Sequence, residues 1–154
     1  SFLDREMIVI SHRGNIDGPE PSLENNPQQI EKAISKNFDV EIDVWAKNSK
    51  IYLGHDNPQY EINKNFLTER REKLWCHAKN ITALRELLIL DLNCFWHQSD
   101  DVVLTSSGHM WTFQGKELTE KSISVMPEIN YSFESLPPCA GYCTDYPSLI
   151  VKTL

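Results

Sequence analysis

Two histidines stand where short apolar runs give way to polar residues. His12 follows residues 7–11 and leads into Arg13 and Gly14; His55 follows residues 51–53 and Gly54, and leads into Asp56. Imidazole titrates near neutrality, so two such groups at strand ends can share proton removal and proton delivery in one acid–base reaction. Glu41 and Asp43 alternate with Val40, Ile42 and Val44, which puts both carboxylates on one face of a strand and the aliphatic side chains on the other. Such a pair can be the solvated face of an antiparallel strand. Beside two histidines it is also a pair of hard oxygen donors for a divalent cation.

Those residues need elements to carry them. Residues 7–11 form a short continuous run that reads as a buried parallel strand delivering His12 to a site. A loop rich in Gly, Pro and Asn over 14–27 precedes Ile30, Ala33 and Ile34, whose spacing predicts a helix ending near Asn37. Residues 40–45 and 51–53, joined by the polar turn 47–50, read as a strand pair. Residues 57–73 have no sustained period and read as loop, with one helical turn near Leu67. A strand follows at 74–77, then a helix from Thr82, as cap, to Leu90. Short strands are expected at 94–97, 102–105, 110–113, 123–126 and 141–143.

The ordered set HRG (12–14), EN (24–25), EIDV (41–44) and GHD (54–56), with GYCTDYP at 141–147, resembles the glycerophosphodiester phosphodiesterase family of the PI-PLC-like phosphodiesterases. The resemblance implies a (β/α) barrel with its site at the C-terminal ends of the strands. It implies His12 and His55 as the catalytic acid–base pair and Glu41 and Asp43 as ligands of one divalent ion, magnesium, calcium or manganese. Arg13 and Lys79 would clamp the phosphate, and the substrate would be a small glycerophosphodiester-like molecule of lipid metabolism. At one position the pattern departs: in the order His77, Ala78, Lys79, a histidine stands where the family has Glu or Asp. An imidazole there shifts metal preference towards manganese or zinc, and Glu128, after Pro127, is the other candidate third ligand. The rival reading is a phosphate-ester binding module on the same fold that has lost turnover.

At 154 residues the chain falls well short of the roughly 250 typical of such barrels. The expectation is therefore one domain over 1–154, an α/β contracted TIM-like barrel that has lost several outer helices. Strands stripped of helices would expose apolar surface, so self-association is expected. A net charge of -7 excludes a protein that coats nucleic acid, since that binding rests on neutralising phosphates. No stretch approaches the roughly 20 apolar residues of a membrane span, and residues 1–6 lack signal-peptide character. Cys76, Cys94, Cys139 and Cys143 are irregularly spaced and read as reduced thiols of a cytoplasmic protein. Trp96, His97 and Trp111 read as core residues or as walls of a substrate pocket.

Overall fold

The architecture comes from a computed structural model, which describes residues 7–154; the reading of residues 1–6 lies outside the described residues. Strand β1 spans Ile8–His12, and helix α1 spans Pro27–Ser35. Asn26 caps α1 by accepting from the Gln28 amide, and Pro27 suits the first turn, where its missing N–H costs nothing. The helix buries Ile30 and Ala33. β2 (Asp39–Lys47) and β3 (Lys50–Leu53) pair antiparallel across a two-residue turn, Asn48 and Ser49, both at positive φ.

The stretch read as loop holds more structure than its pattern suggests: β4 (Tyr60–Ile62), α2 (Lys64–Thr68) and a single 3-10 turn (Arg71–Lys73). β5 (Leu74–Ala78) leads into α3 (Ile81–Ile89). The cap of α3 is Asn80 rather than Thr82; its Oδ1 accepts from the Ala83 amide while its Nδ2 donates to the Ala46 carbonyl at 2.9 Å. One side chain thus starts the helix and ties it to β2. Four short strands follow, β6 (Cys94–Trp96), β7 (Val102–Leu104), β8 (Met110–Thr112) and β9 (Ser122–Val125), then β10 (Gly141–Thr144) and α4 (Pro147–Thr153).

Among the described residues, all ten strands belong to one sheet. β1 lies between β2 and β10, parallel to both; β5 and β6 continue the parallel run beyond β2, and β9 and β8 continue it beyond β10. β7 runs antiparallel to β8. The sheet curls, and its two ends approach: the Ser106 amide, just past β7, donates to the Cys94 carbonyl of β6 at 2.9 Å. The result is a mixed α/β fold with a curled sheet and few helices.

Alternation along the strands sorts side chains into two cores. Inside the curl, Ile10, Trp75, Phe95, Trp111, Ile123 and Cys143 fill the space. The Phe95 and Trp111 rings meet with centroids 4.5 Å apart although their strands do not pair. The outer core packs Val40, Ile42, Val44, Leu74 and Cys76 against Ile30, Ala33, Ala83 and Leu87 of α1 and α3. Trp96 packs on this outer side.

α1 and α3 form the helical crossovers from β1 to β2 and from β5 to β6, and the connection from β2 to its parallel neighbour β5 carries the short α2. On the other half of the sheet, the positions that alternate with the inner core are Thr112, Ser122, Ser124, Tyr142 and Thr144, all buried. Connecting loops cover them through hydrogen bonds: the Thr119 amide donates to Ser122 Oγ at 2.7 Å, and Tyr142 donates its hydroxyl proton to the Pro137 carbonyl at 2.6 Å. The expected bare apolar surface is found there at the edge strand β7, whose Val102 and Leu104 are exposed. Large exposed apolar residues also lie on helices, including Ile81, Leu88 and Ile89 of α3. All four cysteines are free, and among the described residues no helix is long and apolar enough to cross a membrane.

The inner core makes a direct stability test. Phe95→Ala is expected to cost about 3–5 kcal/mol in urea unfolding, while Leu88→Ser on the exposed face of α3 stays within about 0.5 kcal/mol. Equal costs would contradict the division between a filled interior and a solvated helix face.

Candidate functional site

The C-terminal ends of the central parallel strands carry the polar residues. His12 ends β1, Glu41 and Asp43 lie on β2, His77 is on β5, and Asp145 follows β10. His12 is in register with Glu41, and Asp43 with His77, so neighbouring strands present these side chains together. The chain leaves β1 through Arg13 in a left-handed conformation (φ 59°), and Asn25 repeats that conformation at the end of the loop (φ 62°). The Arg13 amide donates to the Glu41 carbonyl at 2.9 Å, and the Asn25 amide donates to the Arg13 carbonyl at 2.9 Å. The loop is therefore folded back over the end of β2.

Asp43 is fully buried, and its two oxygens have different surroundings. Oδ2 accepts from Asn25 Nδ2 at 2.9 Å and lies 3.4 Å from Arg13 Nε, while Asn25 Oδ1 accepts from the Asp43 amide. Oδ1 has no hydrogen-bond donor of fixed charge and faces His77 Nδ1 at 3.1 Å. Burial would push this carboxyl up, but His77, Arg13 and Asn25 outweigh it and hold the group below the usual range. Glu41, also buried, goes the other way: burial and the adjacent Asp43 charge raise it, and its Oε1 is unpartnered.

His12 has a partner that sequence spacing did not reveal. Its Nδ1 lies 2.7 Å from Asp145 Oδ1; a carboxylate only accepts, so Nδ1 donates and Nε2 is left for the cleft. Asn15 Nδ2 donates both to Asp145 Oδ1 at 2.8 Å and to Glu24 Oε2 at 3.0 Å, and Arg13 Nη1 donates to Glu24 Oε1 at 3.1 Å. Glu24 and Asn25, the EN of the ordered motif set, thus hold Arg13, Asn15 and Asp43, and the cap of α1 is their neighbour Asn26. Burial lowers the pKa of His12, but the Asp145 hydrogen bond and the Glu41 charge outweigh it and the net shift is upward. Asp145 moves down, because hydrogen bonds from His12 and Asn15 overcome its burial.

His55 is half-exposed and pairs with Asp56, Nδ1 to Oδ1, at 2.8 Å. It follows Gly54, which only glycine can occupy: φ is 155°, and an added Cβ would fall 2.1 Å from the Asn57 carbonyl oxygen. The Gly54 amide donates to the Asp43 carbonyl at 3.1 Å and its carbonyl accepts from Trp45 Nε1, which pins the His55 loop to β2. His12, Arg13, Glu41, His55, His77 and Lys79 all line one open cleft of about 510 Å³. Trp111 and His97 border it as well, whereas Trp96 does not.

Among the described residues, Glu41, Asp43 and His77 form the group able to hold a metal ion, with one donor atom from each lying within 4.8 Å of the others. Glu128 is not part of it. Its carboxylate accepts from Thr144 Oγ1 at 2.7 Å and lies 3.4 Å from the Asp145 amide, which steadies the end of β10 under Asp145.

In comparisons with known proteins, no family model, curated protein or solved structure matches the chain.

The His12–Asp145 pair sets a pH dependence that can be measured in EDTA-treated protein. His12 is raised above the ordinary imidazole value of 6.5, so its contribution is full below about pH 6.5 and fades as pH rises through the folded pKa. Asp145 is lowered below 3.8, so its contribution is present above that value and lost as pH falls through the folded pKa. Asp145→Asn should destabilise by about 1–3 kcal/mol, most strongly between about pH 4 and 6.5, and should lower the His12 pKa followed by NMR. An unchanged His12 titration would show that the pair does not form.

Proposed function

We propose that the chain is a divalent-metal-dependent phosphodiesterase of the glycerophosphodiester phosphodiesterase type, built on a contracted (β/α) barrel in which loops stand in for several outer helices. The observation that carries this reading is the convergence on one cleft of six side chains from four separate stretches of sequence: His12 and Arg13, Glu41, His55, and His77 with Lys79. Two imidazoles, two cations and a buried pair of acids are the parts that cleavage of a phosphate diester needs. A binding module would need the cations but has no use for two histidines beside them.

The buried donors fit a divalent ion. Unpartnered carboxylate oxygens on Glu41 and Asp43 carry a negative charge that the surrounding side chains only partly offset, and a dication resolves it. When bound, such an ion supplies Lewis acidity, polarising the phosphoryl group and offsetting charge in the transition state. The chain's own residues do the rest. Arg13 and Lys79 set positive charge beside the phosphate oxygens. His12, with Nδ1 committed to Asp145, offers Nε2 to the substrate, and His55 is likewise oriented through Nδ1 by Asp56. One takes the proton of the attacking hydroxyl and the other gives a proton to the leaving oxygen. A cleft of about 510 Å³ suits a small water-soluble diester.

The test is turnover of bis-p-nitrophenyl phosphate and glycerophosphocholine. EDTA-treated protein should be inactive and recover with an added dication. His12→Ala should lower kcat by about 100- to 10,000-fold, and Glu41→Ala should prevent recovery by metal. Phosphorus NMR of the products separates attack by a substrate hydroxyl, which gives a cyclic diester, from attack by water. Full turnover in EDTA or in His12→Ala would overturn the assignment.

A further inference from the structure

The site's third donor decides which ion it takes. His77 Nε2 lies 3.1 Å from the His97 carbonyl oxygen, and a carbonyl only accepts, so Nε2 carries a proton whether or not an ion is bound; Nδ1, which pairs with Asp43 when no ion is bound, is the nitrogen that would give up its proton and offer its lone pair to an ion. Nδ1 is the atom that faces Asp43 Oδ1 at 3.1 Å and Glu41 Oε2 at 3.8 Å. The ring is held in that orientation by stacking on Phe95, with centroids 5.2 Å apart and planes 15° from parallel. A backbone carbonyl that fixes the tautomer of an imidazole, leaving the other nitrogen aimed at carboxylates, is the usual support of a metal-binding histidine.

The carboxylates add a second constraint. Asn25 and Arg13 occupy Oδ2 of Asp43, so only Oδ1 is free to bind an ion, and Asp43 can serve with one oxygen. The set is therefore oxygen, oxygen and nitrogen, few in number and rigidly held. Calcium prefers six to eight oxygens, often with bidentate carboxylates, and magnesium prefers oxygen alone. Imidazole nitrogen instead favours first-row transition dications.

Resting on the phosphodiesterase reading for its use but not for its chemistry, we propose that Glu41, Asp43 and His77 select a first-row transition dication, of the manganese, iron, cobalt or zinc group, over magnesium and calcium, and that His77 Nδ1 makes the selection. Lys79 and Arg13 are left to meet the substrate.

The experiment reads binding directly. Manganese, cobalt, magnesium and calcium are titrated into EDTA-treated, dialysed protein by calorimetry, for wild type and for His77→Glu. Wild type should bind manganese and cobalt more tightly than magnesium by about tenfold or more, and His77→Glu should bring that ratio down by a similar factor. Pulsed EPR of manganese bound to wild type should show coupling to an imidazole nitrogen, a readout that stands even where the variant fails to fold. Equal affinity for magnesium and manganese in wild type, a ratio unchanged in folded His77→Glu, absence of nitrogen coupling, or no binding of any dication would each overturn the proposal. Tight manganese binding with nitrogen coupling but no diester turnover would sustain the ion selection and remove the phosphodiesterase reading instead.

Discussion

Burying Glu41 and Asp43 side by side on β2 is the constraint around which the site is organised. A lone carboxylate out of water is unfavourable by several kcal/mol, and a second beside it adds repulsion. The chain answers on three sides: Asn25 and Arg13 engage one oxygen of Asp43, His77 faces the other, and Glu41 is left with an oxygen that nothing in the protein meets. Each of those answers depends on backbone that a strand alone cannot provide. Arg13 and Asn25 reach β2 because both sit in left-handed conformations at the two ends of a loop that doubles back, a geometry for which asparagine is suited and arginine is not. The unfavourable Arg13 conformation persists because its amide and carbonyl are both hydrogen-bonded in the fold.

The curled sheet makes that burial possible without a large protein. Alternation sends Glu41, Asp43 and His77 inward above a floor of Trp75, Phe95 and Trp111, while Val40, Ile42, Val44 and Cys76 face outward to α1 and α3. Over β8, β9 and β10 the sheet limits exposed apolar surface by a change of residue type, whereas β7 at the edge leaves Val102 and Leu104 exposed. Ser122, Ser124, Thr112 and Thr144 take the outward positions, and loops that could not cover valines bond to hydroxyls instead. Few helices and polar outward positions go together on this half of the sheet, and the aromatic residues of the inner core supply much of the burial.

What could be read from the sequence was local. The alternation over 40–45 gives the face of β2 on which both carboxylates lie, and the polar turn at 47–50 gives the hairpin, because period and turn chemistry are written in consecutive residues. The cap at Asn80 was misplaced to Thr82 because both are good caps; what separates them is a bond to Ala46 on another strand. Residues 57–73 lack a period because β4 and α2 are each shorter than the window that reveals one, and α4 begins at Pro147 with no capping side chain to mark it. In the site, the roles of Asn15 and Asp145 depend on a contact 130 residues apart in sequence. Only the match of TDYP to a family motif hinted at Asp145. Glu128 was attractive as a carboxylate near a strand end, but a second carboxylate role, bracing β10, has the same sequence appearance.

The histidine at position 77 bears on the charge balance of the whole cleft as well as on the ion. With a carboxylate there, three buried negative groups would face one dication and the excess would draw on Arg13 and Lys79. With a neutral imidazole, two carboxylates and a dication cancel. Arg13 is partly balanced by Glu24 at 3.1 Å, so on the proposed reading Arg13 and Lys79 together leave a small positive excess for the single negative charge of a phosphodiester. A monoester product carries more negative charge than the diester it comes from and gains nothing further from a site balanced in this way. If the site binds a dication as proposed, the histidine at position 77 would then favour a diester over a monoester as well as set the ion's donors, because the number of compensating charges in a buried site fixes the charge of the ligand it favours.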